Sequence, residues 1–177
     1  MQWEIKIIKY IQTFQNGFFD VFFWLFSFFA SYLGIIIIFV FLYFFSNKKY
    51  ATFFLIFTVI NVVLNYVLKI IINRQRPYEV SEDIINMVKA LGQSFPSGHM
   101  VCATSIVFFL FAYIYNKYKN TKYIAISLSI FVFYLICVAL SRMYFGQHFL
   151  TDIIAGICVA LILCFVEFKI FKKYIKY

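Results

Sequence analysis

The sequence predicts an all-α, polytopic integral membrane protein, a bundle of about six transmembrane helices of which the first is short. Of its 177 residues, 64% are hydrophobic and 24% aromatic, and the mean hydropathy is +0.89. These values lie far above those of soluble globular domains. Apolar stretches follow one another with short polar connections, and each span needs about 20 apolar residues. We therefore expect one membrane-embedded domain over residues 1–177.

Residues 1–16 are predicted to form an amphipathic helix that lies in the membrane interface. Its apolar positions recur at helical spacing with charged residues between them, at Trp3, Ile7, Ile11 and Phe14. The alternative is that this segment is only the polar start of the first span. The segment lacks the long apolar centre and small-residue cleavage site of a signal peptide, so we expect no cleavage.

The helix bundle is predicted over residues 17–177. Gly17–Ala30 is apolar but covers only about 20 Å of a roughly 30 Å hydrocarbon core, which indicates a tilted, short or re-entrant first helix. The clearer spans are Tyr32–Phe45, Tyr50–Ile72, His99–Tyr115, Tyr123–Leu140 and Asp152–Phe168. Because their connections are short, successive helices should be antiparallel neighbours.

The charged and cysteine residues limit the possible functions. Sixteen Lys and Arg against seven Asp and Glu give a net charge of +9, but most of these charges flank apolar spans. Membrane topology explains them better than a polyanion does, so we expect no nucleic-acid partner. The cysteines lie in apolar runs without metal-like spacing and are interpreted as reduced core residues, namely Cys102, Cys137, Cys158 and Cys164.

The lysine-rich connections indicate the orientation of the bundle. Residues 46–49, 116–122 and 169–177 are rich in lysine and fall on one side if the helices alternate. By the positive-inside rule this side, with the C-terminus, is cytoplasmic. The polar segments 73–96 and 141–148 then lie at the extracytoplasmic end, where we expect the functional site.

The first polar cluster at that end follows the span Tyr50–Ile72. Lys69 and Arg76 are seven residues apart, which puts them on one face if the helix continues, and Pro77 ends it. For Lys69 alone, snorkelling to the lipid headgroups is the simpler interpretation. Arg74 is expected to point elsewhere, as an ordinary surface charge.

The second cluster is PSGH, from Pro96 to His99. A helix that begins near His99 has unpaired N–H groups at the positive end of its dipole, which together favour an anion. Ser97 is the expected N-cap, and Gly98 allows close approach of a ligand. Ordinary helix capping is the alternative, but the adjacent histidine favours chemistry.

The third cluster, SRMYFGQHFLTD, contains Arg142, His148 and Asp152. His148 and Asp152 are four residues apart and should meet on one face at the start of the last helix. A carboxylate that accepts from one ring nitrogen leaves the lone pair of the other free to attack. The alternative is a buried pair that joins two helices. Cations, donors and the two histidines at one end suit a tetrahedral phosphate.

These three clusters, KxxxxxxRP, PSGH and SRxxxxxHxxxD, resemble the signature motifs of the type 2 phosphatidic acid phosphatase superfamily. The resemblance implies that His148 is a nucleophile forming a phosphohistidine, that Asp152 orients it, and that His99 acts as acid and then base. It implies no metal and no cofactor. It further implies that the phosphate oxygens are bound by Lys69, Arg76, Ser97, Gly98 and Arg142.

The same resemblance implies a phosphatase of the bacterial cytoplasmic membrane whose site faces the periplasm or cell exterior. The expected partner is a lipid phosphate or diphosphate, with undecaprenyl diphosphate as the first candidate. Phosphatidylglycerol phosphate, phosphatidic acid and lipid A are the alternatives. The apolar surface argues against the soluble substrates of other superfamily members. A transporter or structural membrane protein is the alternative of another class, although transporter-like paired halves are not visible. No pattern indicates an oligomeric state.

Overall fold

The computed structural model describes residues 2–90 and 92–174, and these residues form helices and connections without a β-strand. In chain order the helices are α1 (Gln2–Gln12), α2 (Gly17–Phe29), α3 (Tyr32–Phe45), α4 (Lys48–Ile72), α5 (Pro77–Val80), α6 (Gly98–Tyr118), α7 (Thr121–Tyr144) and α8 (Leu150–Tyr174). The predicted all-α membrane class is confirmed.

The number of spans differs from the sequence prediction at the second and third helices. Within the described residues, four segments are long and apolar enough to cross a membrane: Lys48–Val80, Gly98–Tyr118, Thr121–Tyr144 and Leu150–Phe171. α2 and α3 form a bent pair with an angle of 58°, which gives a fifth span if the pair is taken as one. The sequence predicted about six because it counted them separately. With 13 and 14 residues, each covers only about 20 Å.

The break between α2 and α3 has a local cause at Ser31. Its hydroxyl donates to the carbonyl of Phe28 at 2.6 Å and accepts from the N–H of Gly34 at 3.4 Å. One side chain therefore satisfies backbone groups at the end of one helix and at the start of the next. A Cβ at Gly34 would clash with the backbone carbonyl of Phe29, so the bend also needs a glycine there.

The described parts of the lysine-rich segments, residues 46–49, 116–122 and 169–174, lie at one end of the bundle, as predicted from helix alternation. There the Ser46 hydroxyl, between α3 and α4, donates to the Tyr113 hydroxyl of α6 at 2.5 Å. The ring of Tyr50 packs edge-on against Phe171 of α8, with centroids 5.3 Å apart. At the opposite end, the segments before α6 and before α8 meet. Which end faces the cytoplasm stays a prediction.

α1 packs against α7 with an unexpected face, at the end of the bundle away from the lysine-rich connections. Its buried residues are Glu4, Ile8 and Gln12, whereas Trp3 and Phe14, from the predicted apolar stripe, are about half exposed at 51% and 50%. The helix is also shorter than the predicted 1–16. Ile7 and Ile11, from the same stripe, are partly buried and pack against the core. The face that contacts the bundle is therefore partly polar, and an interfacial position for Trp3 and Phe14 stays a prediction.

Candidate active site

A cavity of about 490 Å³ opens at the end of the bundle away from the lysine-rich connections. Six of the eight predicted site residues line it: Lys69, Arg76, Gly98, His99, Arg142 and His148. The other two, Ser97 and Asp152, are fully buried behind this wall. The bent α2–α3 pair supplies an apolar wall that includes Trp24, Phe28 and Tyr32. The cavity therefore joins a cationic floor to an apolar side.

Lys69 and Arg76 hold the segment that crosses the cavity before α6. The Lys69 ammonium donates to the carbonyls of Gln93 at 2.5 Å and Ser94 at 3.3 Å. Arg76 Nε donates to the carbonyl of Gly92 at 2.9 Å, and its Nη1 donates to the carbonyl of Gln147 at 3.1 Å. Both cations thus fix the loop while they face the cavity.

Arg142 occupies the last turn of α7 and is 5% exposed. Its Nη2 donates to the Ser27 hydroxyl of α2, and its Nε donates to the Ser141 hydroxyl at 3.2 Å. Among the described residues, no ion pair includes Lys69 or Arg142. These two charges are therefore not neutralised by a carboxylate, which favours an anionic ligand.

The start of α6 faces the cavity through its first two residues, Gly98 and His99. Ser97 is at the N-cap position, as predicted, but its side chain makes no capping bond. Its hydroxyl is buried and has no hydrogen-bond partner among the residues that the structure describes. Its backbone N–H donates to the carbonyl of Asp152 at 3.0 Å. The structure therefore places Ser97 at the α6–α8 contact rather than on the cavity wall.

His148 and Asp152 lie close together where α8 begins. His148 Nδ1 is 3.6 Å from Asp152 Oδ2, just beyond hydrogen-bonding distance. The Ser94 hydroxyl donates to the same oxygen at 2.5 Å and lies 3.5 Å from His148 Nδ1. Burial lowers the pKa of His148 to about 4, although Asp152 acts in the opposite direction. The imidazole is therefore neutral near pH 7, with Nδ1 toward the carboxylate.

Arg74 contradicts the sequence expectation that it points away as a surface charge. Its Nη1 lies 2.5 Å from Asp152 Oδ1, and its Nη2 lies 3.2 Å from Glu4 Oε2. Helical spacing failed here because α4 ends at Ile72 and Asn73 adopts a left-handed conformation with φ 48°. Arg76 likewise reaches the cavity from the N-cap of α5 rather than from the face of Lys69, and Pro77 begins α5.

Sequence reasoning also missed Ser94, Gln147 and Glu4. Gln147 is 1% exposed, and its amide donates to Asn86 Oδ1 at 2.8 Å and to the Val88 carbonyl at 2.9 Å, fixing the loop beside the cavity. Ser94 lies two residues before PSGH and Gln147 lies within the third motif, and this proximity was the available signal. Glu4 gave no signal, because its partner Arg74 is 70 residues away.

A metal-ligand cluster is not found in the part of the chain that the structure describes: no three His, Cys, Asp or Glu side chains there are arranged to hold an ion. The charged side chains on the cavity wall are instead cations, and the two imidazoles lie beside them. Phe145 also lines the cavity. Its neighbour Tyr144 does not, because its hydroxyl donates to Asp20 Oδ1 at 2.5 Å.

Comparison with known proteins identifies the family. A sequence model described as the PAP2 superfamily matches residues 49–176. The chain belongs to the PAP2 superfamily. The resemblance seen in the three motifs is thereby confirmed.

Among relatives of this PAP2 chain is phosphatidylglycerophosphatase B of Bacillus subtilis (strain 168), 35% identical over 107 residues. That alignment covers 58% of this chain and 49% of the relative, so the chain matches about half of the relative's length.

Two solved structures share the fold. One is a transmembrane PAP2 type phosphatidylglycerolphosphate phosphatase from Bacillus subtilis, with TM-score 0.84, 23% identity, and coverage of 99% of this chain and 88% of that one. The other is Aquifex aeolicus LpxE, with TM-score 0.75, 25% identity and 93% coverage of both chains.

The turn before His148 depends on Gly146, which gives a first testable prediction. Gly146 has φ +71°, and a Cβ there would lie 2.5 Å from the carbonyl oxygen of Ile85. Gly92 has a similar φ of +70° but nothing within 4 Å. Both alanine variants incur the left-handed penalty of about 1–2 kcal/mol. We expect the free energy of unfolding of Gly146→Ala to be about 1–3 kcal/mol lower than that of Gly92→Ala, the usual cost of overpacking.

Thermal unfolding of the two variants in the same detergent measures this difference. Gly92→Ala is the matched control, since it shares the backbone conformation and lacks the steric conflict. Equal unfolding temperatures for the two variants would show that the Ile85 carbonyl does not constrain the turn.

Proposed function

We propose that this chain is a metal-independent lipid phosphatase that hydrolyses a membrane lipid phosphate or diphosphate through a phosphohistidine on His148. The observation that carries the proposal is the composition of the cavity. It combines both histidines and three motif cations with an apolar wall from α2 and α3. A phosphate group fits the cationic floor, and an acyl or prenyl chain fits the apolar side.

The proposed reaction has two steps. His148 Nε2 attacks phosphorus while the bond to the lipid oxygen breaks, and His99 gives that oxygen a proton. His99 then takes a proton from water, which attacks phosphorus as the P–N bond breaks and inorganic phosphate leaves. Asp152 keeps Nδ1 protonated, so that the lone pair is on Nε2.

The oxygens of the phosphoryl group carry the charge that grows during both steps. Lys69, Arg76 and Arg142 would stabilise this charge, together with the first N–H groups of α6 at Gly98 and His99. Ser97 was also predicted to bind the phosphate. Its buried hydroxyl supports a role in fixing the start of α6, and its part in binding stays a prediction.

The lipid itself is a finer part of the proposal. The family resemblance favoured undecaprenyl diphosphate, whereas the curated relative is named a phosphatidylglycerophosphatase. Both candidate lipids carry a second phosphoryl group near the scissile one, which phosphatidic acid lacks. We place phosphatidylglycerol phosphate and undecaprenyl diphosphate first in a substrate panel, with phosphatidic acid and lipid A after them.

The location is proposed from charge and family. The lysine-rich end, with the C-terminus, would face the bacterial cytoplasm, and the cavity would open toward the periplasm or cell exterior. Two variants test this in intact cells. Each lacks the native cysteines and has one new cysteine, at Asn120 in the first and at Glu82 in the second. An impermeant thiol reagent should label the second position and not the first; the reverse pattern would contradict the orientation.

Purified protein in detergent with EDTA tests the activity. We expect phosphate release from at least one lipid of the panel, faster for long-chain than for short-chain substrates, and unaffected by the chelator. Substrate labelled with ³²P at the scissile phosphate should give acid-labile, base-stable labelled protein. A strict requirement for added magnesium would overturn the mechanism. A folded protein that releases no phosphate and retains no label would favour a transporter or structural role.

A further inference from the structure

The face that α1 turns toward the bundle contains a buried charge. Glu4 is 3% exposed and Gln12 is 8% exposed, and they lie on the same face as Ile8. Burying a carboxylate costs free energy unless hydrogen-bond or ion-pair partners compensate for the lost water. A helix that only lies in the membrane interface would bury apolar residues instead. The contacts of Glu4 therefore indicate what α1 does.

Glu4 binds the segment that carries the catalytic histidine. Its Oε1 accepts from the backbone N–H of Thr151 at 3.0 Å and from the Thr151 hydroxyl at 2.7 Å. Its Oε2 accepts from Arg74 Nη2 at 3.2 Å. Arg74 Nη1 in turn donates to Asp152 Oδ1 at 2.5 Å and to the Thr151 hydroxyl at 2.7 Å. One guanidinium thus links two buried carboxylates.

These contacts fix the rotation of the Asp152 carboxyl group. Oδ1 is held by Arg74, while Oδ2 accepts from the Ser94 hydroxyl at 2.5 Å and from the Phe149 N–H at 2.9 Å. Oδ2 is therefore kept on the side of His148 Nδ1. Arg74 is itself held from behind by Glu4 and packs its guanidinium 4.2 Å from the centre of the Phe149 ring.

We propose that Glu4 and Arg74 are positioning residues for the reaction: from α1 and from the α4–α5 connection, they hold Asp152 in the orientation that sets the tautomer of His148. The inference deepens the proposed function and rests on it for the rate measurements. Neither residue lines the cavity, so both act on kcat rather than on lipid binding. α1 is thus part of the catalytic support and not only a membrane-surface element.

The variants Glu4→Gln and Arg74→Lys test the proposal. In Glu4→Gln, the glutamine oxygen can still accept from Thr151, but the amide nitrogen faces Arg74. In Arg74→Lys, the positive charge stays, but the forked guanidinium that reaches both carboxylates is lost. α1 stays docked in Glu4→Gln because Gln12 hydrogen-bonds the Ile85 N–H at 3.0 Å and the Ile85 carbonyl at 2.8 Å. Lys9→Gln is the matched control, since it removes an exposed α1 ion pair with Asp83.

We expect kcat to fall about 10- to 100-fold in both variants, the range found when a carboxylate that orients a metal-bound histidine is disturbed. KM should stay within about twofold, and Lys9→Gln should match the native protein. Unchanged kcat in Glu4→Gln would overturn the proposal. So would a fall in kcat that follows the loss of folded protein, as measured by thermal unfolding.

A second measurement does not depend on turnover. The chain has two histidines, so ¹⁵N-histidine labelling with a His99→Gln background leaves the ring signals of His148 alone. We expect an Nδ1–H tautomer there, and a lower population of it when Glu4→Gln is added. An unchanged tautomer population would overturn the proposal even if no substrate is found. Absence of phosphate release by the native protein would instead contradict the proposed function.

Discussion

Replacing His148 by alanine should lower phosphate release by a factor on the order of 10⁴ or more, as loss of a catalytic nucleophile or base does elsewhere. The proposed reaction needs a neutral ring nitrogen at the cavity, and burial supplies it by lowering the pKa of His148 to about 4. Among the described residues, His99 supplies the one other imidazole on the cavity wall. Steady-state release from the best lipid of the panel measures the effect.

An activated aryl phosphate labelled with ³²P distinguishes the role of His99 from that of His148. Its leaving oxygen needs no proton, so we expect His99→Ala to form the phosphohistidine but hydrolyse it slowly, because water lacks its base. Labelled protein should accumulate in His99→Ala and be absent from His148→Ala. Labelling of His148→Ala, or equal loss of labelling in both variants, would contradict the assigned roles.

Helical periodicity and motif spacing predicted most of this architecture because both are local properties. α4, α6, α7 and α8 each contain a long apolar run, so their existence follows from hydropathy alone. The motifs meet at one end because successive spans cross the bundle in alternating directions. That is why Lys69, at the end of α4, and Gly98, at the start of α6, line the same cavity.

The residues that sequence reasoning misjudged depend on backbone geometry or distant packing. Asn73 takes a left-handed conformation and ends α4, and from there a helical wheel no longer places Arg74. Trp24 and Tyr32 reach the cavity only because α2 and α3 bend by 58° between them. Glu4 is buried by contacts with residues about 70 and 147 positions away. None of these contacts leaves a local pattern.

Arg142→Met should reduce kcat/KM for the lipid about 10²- to 10³-fold, the effect of removing one donor that stabilises developing charge. In the absence of ligand, however, its unfolding temperature should be no lower than that of the native protein. Arg142 is buried, donates to two serine hydroxyls and has no ion pair among the described residues. A methionine of similar length removes the cost of burying that charge.

Arg74→Met is the matched control, because Arg74 lies between the carboxylates of Glu4 and Asp152. Its loss leaves two buried negative charges without their cation, so we expect a clear fall in unfolding temperature. Thermal unfolding with and without inorganic phosphate separates the two arginines further. Phosphate should stabilise the native protein by binding the folded state, and Arg142→Met should lose this stabilisation. If the unfolding temperature of Arg142→Met is as low as that of Arg74→Met, the Arg142 charge stabilises the fold. That result would contradict the prediction that this charge serves to bind an anion.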